Sequence, residues 1–191
     1  MQSRLNPVES PSFVMKLAYL FSKIKFGKVL SPLKVAYVRL PLAFSLFSNK
    51  ISQLERKMKL KRELALLIRH RVAQINTCSF CMDIGIALAI KDNQESEKFY
   101  HLEEFMTNSL YSEADRAALL FAQELTVEKK ISDSTFSRAK QYFSERELVE
   151  IAWVVSTEHY YNLMNLAFDI HSDNLCQVGK RQAKEKAIRA A

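Results

Sequence analysis

An all-α domain of about eight helices is the fold this sequence predicts, on three observations. Only 3 Gly and 4 Pro occur in 191 residues, too few for the many tight turns a sheet needs. Few stretches alternate with period two, whereas apolar residues recur at helical spacing along most of the chain. Apolar residues make up 48% and charged residues 26%, as in soluble globular chains long enough to bury a core without disulfide staples.

The elements follow in order. Ser10-Pro11-Ser12 places a proline at the first turn of a helix. That helix runs to about Lys25, with Phe13, Leu17, Leu20, Phe21 and Ile24 on one stripe, and Gly27 ends it. A second helix opens at Ser31-Pro32 and runs to about Ser48. A third, rich in lysine, covers roughly Ile51 to Ile75 and buries Leu60, Leu64, Leu67, Ile68, Val72 and Ile75. Asn76-Thr77 breaks the pattern, and Thr77 caps a fourth helix that begins at Cys78 and reaches about Ile90. Helices near Glu95–Thr107, Glu113–Val127 and Asp133–Phe143 follow, between polar turns. Ser112 with Asp115 and Ser144 with Glu147 have the spacing of capping boxes. The apolar run from Leu148 through Phe168 is a long helix buried on several faces, and a basic, Ala-rich tail closes the chain.

The net charge of +7 is unevenly spread. Residues 1–71 hold 15 Lys/Arg against 3 Asp/Glu, whereas residues 72–191 hold 13 against 18. Solvated helix faces explain this most simply; an acidic partner, an anionic membrane surface or nucleic acid are the functional alternatives. No helix-turn-helix, RNP or zinc-finger pattern supports nucleic acid. Arg39 and Pro41 interrupt the best candidate for a transmembrane span, and Glu9 interrupts any signal-peptide core. A cytoplasmic protein is expected.

Cys78-Ser79-Phe80-Cys81 concentrates the chemistry. A thiolate is the nucleophile of disulfide exchange, and the first turn of a helix favours it through unpaired N–H groups. The spacing puts both sulfurs on nearly the same face, so one thiol can attack and the other resolve. A pair of inert, buried cysteines is the plainer alternative.

The stretch Val72-Ala73-Gln74-Ile75-Asn76-Thr77-Cys78-Ser79-Phe80-Cys81-Met82-Asp83-Ile84 resembles the active-site segment of the carboxymuconolactone decarboxylase / alkyl hydroperoxidase D-like (AhpD-like) family. Ser112 to Leu119, Phe143 to Glu150 and Glu158-His159-Tyr160-Tyr161-Asn162 are similar to later helices of that family. The resemblance implies an AhpD-like helical domain at 30–177; a basic amphipathic extension at 1–29 and a basic tail at 178–191 lie outside it. It also implies a symmetric homo-oligomer (dimer, trimer or hexamer) and a thiol-dependent antioxidant activity without a bound cofactor. In that pattern Cys81 meets a peroxide and Cys78 resolves it to a disulfide, which an external dithiol such as a lipoyl protein, or a peroxiredoxin partner, restores. Dithiol logic alone would give the first contact to Cys78.

This chain departs from the family's proton relay. Gly85 stands where peroxidase members carry a His, Phe80 where some carry another, and Leu66 where they carry a Glu. Glu63 and His70, seven residues apart on one helix face, are candidates to rebuild the relay; solvated side chains among lysines are the alternative. Asp83 and His159 are secondary candidates, with helix-dipole and structural readings respectively.

Two other functions stay open. One is the cofactor-free lactone-acid decarboxylase of the family's other branch, whose members typically lack the CxxC pair. The other is a catalytically weak interaction or metal protein, in which Cys78, Cys81, His171 and Cys176 give a zinc-type ligand set.

Overall fold

The computed structural model describes residues 3–94 and 96–180. Helices are α1 (Phe13–Phe26), α2 (Asn49–Glu55), α3 (Arg62–Ile75), α4 (Ser79–Lys91), α5 (Glu113–Glu128), α6 (Asp133–Lys140) and α7 (Glu145–Leu166). No strand occurs among the described residues. Residues 181–191 of the expected tail lie outside them.

α3 is the axis of the main core. Leu66, Leu67, Ile68, Val72 and Ala73 are all fully buried, so this helix is surrounded rather than amphipathic. α5 brings Ala118, Leu119 and Ala122 against it, and α7 brings Ile151, Val154 and Val155. Phe99, Leu102 and Phe105 close one end. Phe99 and Leu102 sit on two short 3-10 turns, Glu97–Tyr100 and Leu102–Glu104, and Phe105 directly follows the second, in place of the helix expected over Glu95–Thr107.

A second core forms around the dithiol. Met15 and Tyr19 of α1 pack with Leu33 and Val35, with Phe80 and Cys81 of α4, and with Ile170 and Leu175 near the other end of the chain. The two ends clasp: the Arg4 N–H donates to the Phe168 carbonyl (3.0 Å), and Asp173 accepts from the Ser31 N–H (2.8 Å) and hydroxyl (2.7 Å).

The two capping boxes and the glycine stop read from sequence are present. Ser112/Asp115 and Ser144/Glu147 form reciprocal capping boxes. Gly27 ends α1 with φ 75°, its N–H donating to Lys23 O at 2.8 Å.

Three expected elements differ. The stripe Phe13, Leu17, Leu20, Phe21 and Ile24 faces outward, and α1 buries Met15, Tyr19 and Ser22 instead. The helix expected over Ser31–Ser48 is two wide π-type turns, Leu33–Tyr37 and Ala43–Ser48, with the Val38 N–H reaching back to Leu33 O. Pro41 lies between them, where a helical backbone hydrogen bond has no donor. The helix expected over Ile51–Ile75 is cut between α2 and α3. There the Glu150 carboxylate, arriving from α7, accepts the N–H groups of Lys59 (2.9 Å) and Leu60 (2.8 Å) and the Arg146 guanidinium (2.9 Å). Against burial, which raises it, these donors hold the Glu150 carboxyl below its usual range.

Candidate functional site

The dithiol sits on a sharp turn. α3 ends at Asn76, and Thr77 takes a left-handed conformation, φ 55°, unusual for a β-branched residue and a place where backbone strain is held. The Cys78 N–H then bonds to Ala73 O at 2.9 Å. Cys78, rather than Thr77, is the N-cap of α4: its Sγ accepts the Cys81 N–H at 3.4 Å. The two sulfurs are joined as a disulfide, with Cα atoms 5.3 Å apart. Both residues are buried.

A cavity of about 270 Å³ reaches the pair from one side, and its wall includes Cys81 but not Cys78. Its floor is polar at one spot. The Asn165 amide, buried on α7, donates to Cys81 Sγ at 3.2 Å and lies 4.0 Å from Cys78 Sγ. Asn162, one turn back, accepts from the Asn76 amide (2.9 Å) and donates to Glu158 Oε1 (2.7 Å). Glu158 Oε2 accepts from Arg69 Nη1 (3.0 Å), and Arg69 also pairs with Glu55. Burial pushes the Glu158 carboxyl up, while Arg69 and Asn162 pull it the other way. Against burial, the Glu55 and Glu158 carboxylates raise the Arg69 guanidinium. Glu158, Arg69, Tyr161 and Asn165 all line the cavity. The remaining wall is largely apolar, from Phe26, Leu33, Ile84 and Leu88 among others.

His70 is buried on α3, its ring edge-on to Phe99 at 6.0 Å. Burial holds its imidazole down at about 4, although the backbone of Met82 favours the charged form, so the ring is neutral at neutral pH. Its Nδ1 is buried without a hydrogen-bond partner and points at Gly85, where an added Cβ would stand 3.4 Å from it. Gly85, one turn beyond Cys81, also lines the cavity. The glycine at the family's histidine position thus leaves the space above His70 open.

The other predicted residues lie elsewhere. The Glu63 carboxylate turns to the Ser96 hydroxyl (2.9 Å) and the Lys98 ammonium (3.6 Å), so the expected Glu63–His70 relay is not assembled. Asp83 accepts from the Ser172 hydroxyl (2.8 Å) and the N–H groups of Leu175 (2.8 Å) and Cys176 (2.9 Å), capping the helical segment 175–180. His159 Nδ1 is 3.4 Å from the Asn76 amide, and burial, with Lys129, lowers its imidazole. Among the described residues no group of three or more potential metal ligands gathers, and the zinc-type set is not formed. Asn165, Glu158 and Arg69 were not singled out from sequence. The readable signal was polar residues at 158, 162 and 165, a spacing of four and three that puts them on one face of the long helix.

The comparisons with known proteins agree with this architecture. No protein-family model matches the chain. The uncharacterized protein YnjA of Escherichia coli (strain K12) is 25% identical over 181 residues, which is 94% of this chain and 99% of the relative. The debrominase Bmp8, solved as a cysteine-to-alanine variant with 2,3,4-tribromopyrrole, superposes with a TM-score of 0.78 at 19% identity, covering 96% of this chain and 98% of that one. The alkylhydroperoxidase AhpD core of an uncharacterized peroxidase-related protein from Ralstonia eutropha JMP134 has a TM-score of 0.77 at 16% identity, covering 93% and 96%. This chain is an all-helical protein of the AhpD-like fold carrying a paired CxxC dithiol. The fold is the one its sequence resemblance implies.

Proposed function

We propose that the protein is a thiol-dependent hydroperoxide reductase, in which Cys81 meets the oxidant and Cys78 resolves it. The observation that carries this reading is that the cavity wall includes Cys81 and not Cys78. The reduced Cys81 thiolate attacks one oxygen of ROOH. The O–O bond breaks, ROH departs with a proton, and Cys81 becomes a sulfenic acid. The Cys78 thiol then attacks the Cys81 sulfur; the S–S bond forms and water leaves. An external dithiol, on a lipoyl protein or through a peroxiredoxin, returns both thiols by exchange.

Two neighbours assist. The Asn165 amide hydrogen-bonds the anionic sulfur. His70, neutral and with a free lone pair facing Gly85 one turn beyond Cys81, takes the thiol proton and returns it to the departing alkoxide. The working form is a cytoplasmic homo-oligomer, a compartment whose reducing poise keeps such a dithiol cycling.

A second reading is favoured by the likeness to Bmp8 over nearly the whole chain. The same thiolate would take a halogen from an electron-rich bromoarene: the C–Br bond breaks, an S–Br bond forms and the carbon takes a proton. Cys78 would then expel bromide and form the same disulfide.

The test is alkylation trapping of the reduced protein with a hydroperoxide or a bromopyrrole added. A Cys78–Cys81 disulfide appearing with ROOH, abolished in Cys81→Ser, supports the first reading. Disulfide formation only with the bromoarene, with bromide released, selects the second. No disulfide with either overturns both. Gly85→Ala tests His70: it removes a helix-interior glycine, so stability is unchanged or about 0.5–1 kcal/mol higher, while the closed gap slows disulfide formation. An unaltered rate removes His70 from the relay.

A further inference from the structure

We propose that the outer face of the N-terminal region docks on bilayers containing anionic lipid. At about 100° per residue, Phe13, Val14, Leu17, Leu20, Phe21 and Ile24 occupy one arc of α1 some 120° wide. This arc points away from the protein: Phe13 is 76% exposed, Phe21 71% and Ile24 72%. The opposite side of α1, with Met15, Tyr19 and Ser22, is the side that is buried. Lys16 and Lys23 border the arc on one edge and Lys25 on the other, all exposed. Leu40, Leu42, Leu46 and Leu54 add further exposed apolar side chains from the following segments.

Charge decides the occupant. Between Glu9 and Glu55 the chain carries seven Lys or Arg and no acidic residue. Lys28 and Lys34 pair with Asp173 and Glu9, which leaves the surface charge to Lys16, Lys23, Lys25, Arg39 and Lys50. A second copy of the chain joined face to face would set one such group of cations against an identical one, with no carboxylate between them. An anionic bilayer answers both features at once: acyl chains receive the stripe, and phosphate and carboxylate headgroups receive the bordering lysines. No helix among the described residues is long and apolar enough to cross a membrane, so the contact is one that lies on the surface.

Lys25, at one edge of the arc, also lines the dithiol cavity. The docking itself does not depend on the redox reading.

The experiment is co-sedimentation of the full chain with vesicles of phosphatidylcholine alone and of phosphatidylcholine with phosphatidylserine, at low and high salt. Binding is expected only to the serine-containing vesicles and weakens with salt. Lys16→Gln with Lys23→Gln lowers affinity by about fivefold per lysine. Phe13→Ser with Phe21→Ser lowers it at least about tenfold. Both pairs are exposed, so the far-UV CD spectrum and melting midpoint stay as in wild type. Absence of binding to either vesicle overturns the proposal, as does binding indifferent to both pairs. If the Phe pair instead turns a concentration-dependent oligomer into a monomer while wild type ignores vesicles, a second copy covers the face and the proposal also fails. A Cys78→Ser, Cys81→Ser double variant should bind vesicles as wild type does, whatever the outcome of the peroxide test.

Discussion

Replacing His70 with Gln should remove one identifiable part of the protein's acid sensitivity. The imidazole is buried against Phe99 and the Met82 backbone, with Nδ1 unpartnered. In the unfolded chain it takes up a proton as the pH falls through 6.5; in the folded protein it does so only at about 4. Within that window the unfolded state binds more protons, so stability falls as the pH falls. Above the window the contribution is constant, and below it the loss is complete. The interval, at 1.36 kcal/mol per pH unit, corresponds to about 3 kcal/mol. Urea denaturation of wild type and His70→Gln at pH values from above 7 down to 4 reads it directly. The variant lacks this slope, so the stability difference between the two proteins should move by about 3 kcal/mol across the series. A difference that stays flat would show that His70 titrates in the folded protein as it does in the unfolded chain, and that burial does not hold its imidazole down.

Other outcomes follow from single contacts. Asn165→Ala removes the donor to Cys81 Sγ; a hydrogen bond to a charged group is worth about 1.5–3 kcal/mol, so iodoacetamide should label Cys81 roughly ten- to a hundredfold more slowly in a Cys78→Ser background. Glu150→Ala strands the N–H groups of Lys59 and Leu60 and should cost about 3–4 kcal/mol in urea; Glu150→Gln, which still offers an acceptor, should cost less. Asp83→Ala frees three donors of residues 172–176, and hydrogen exchange at Leu175 and Cys176 should accelerate while α5 stays protected.

The elements legible in the sequence were those whose signals are local. Ser112 and Ser144 announced α5 and α7 because a capping box is complete within four residues. Cys78 and Cys81 were legible because a two-residue spacing and a helix start act on the same few atoms. The parts that escaped depend on distant partners. The break between α2 and α3 is made by Glu150, ninety residues away from Leu60. The orientation of α1 is equally invisible to periodicity, since Met15 and Tyr19 are also apolar at helical spacing and tertiary packing chose them. Glu63 was assigned to a relay because it shares a face with His70, but spacing does not reveal the Lys98 ammonium and Ser96 hydroxyl that hold its carboxylate. Gly85 marked a missing histidine; that it opens a gap beside another one requires the packing of α3 on α4.

The clasp between the chain's two ends has a consequence for how the protein is made. The cover over the dithiol includes Ile170 and Leu175, and Asp173 fastens it to Ser31. At about 5–20 residues per second, Leu175 follows Cys81 out of the synthetic machinery by roughly 5–20 seconds. During that interval both thiols stand without the wall that will enclose them, open to any oxidant or disulfide in the surroundings. A mixed disulfide formed then would be buried under the closing segment, so a reducing environment matters to this protein from the moment its chain is made.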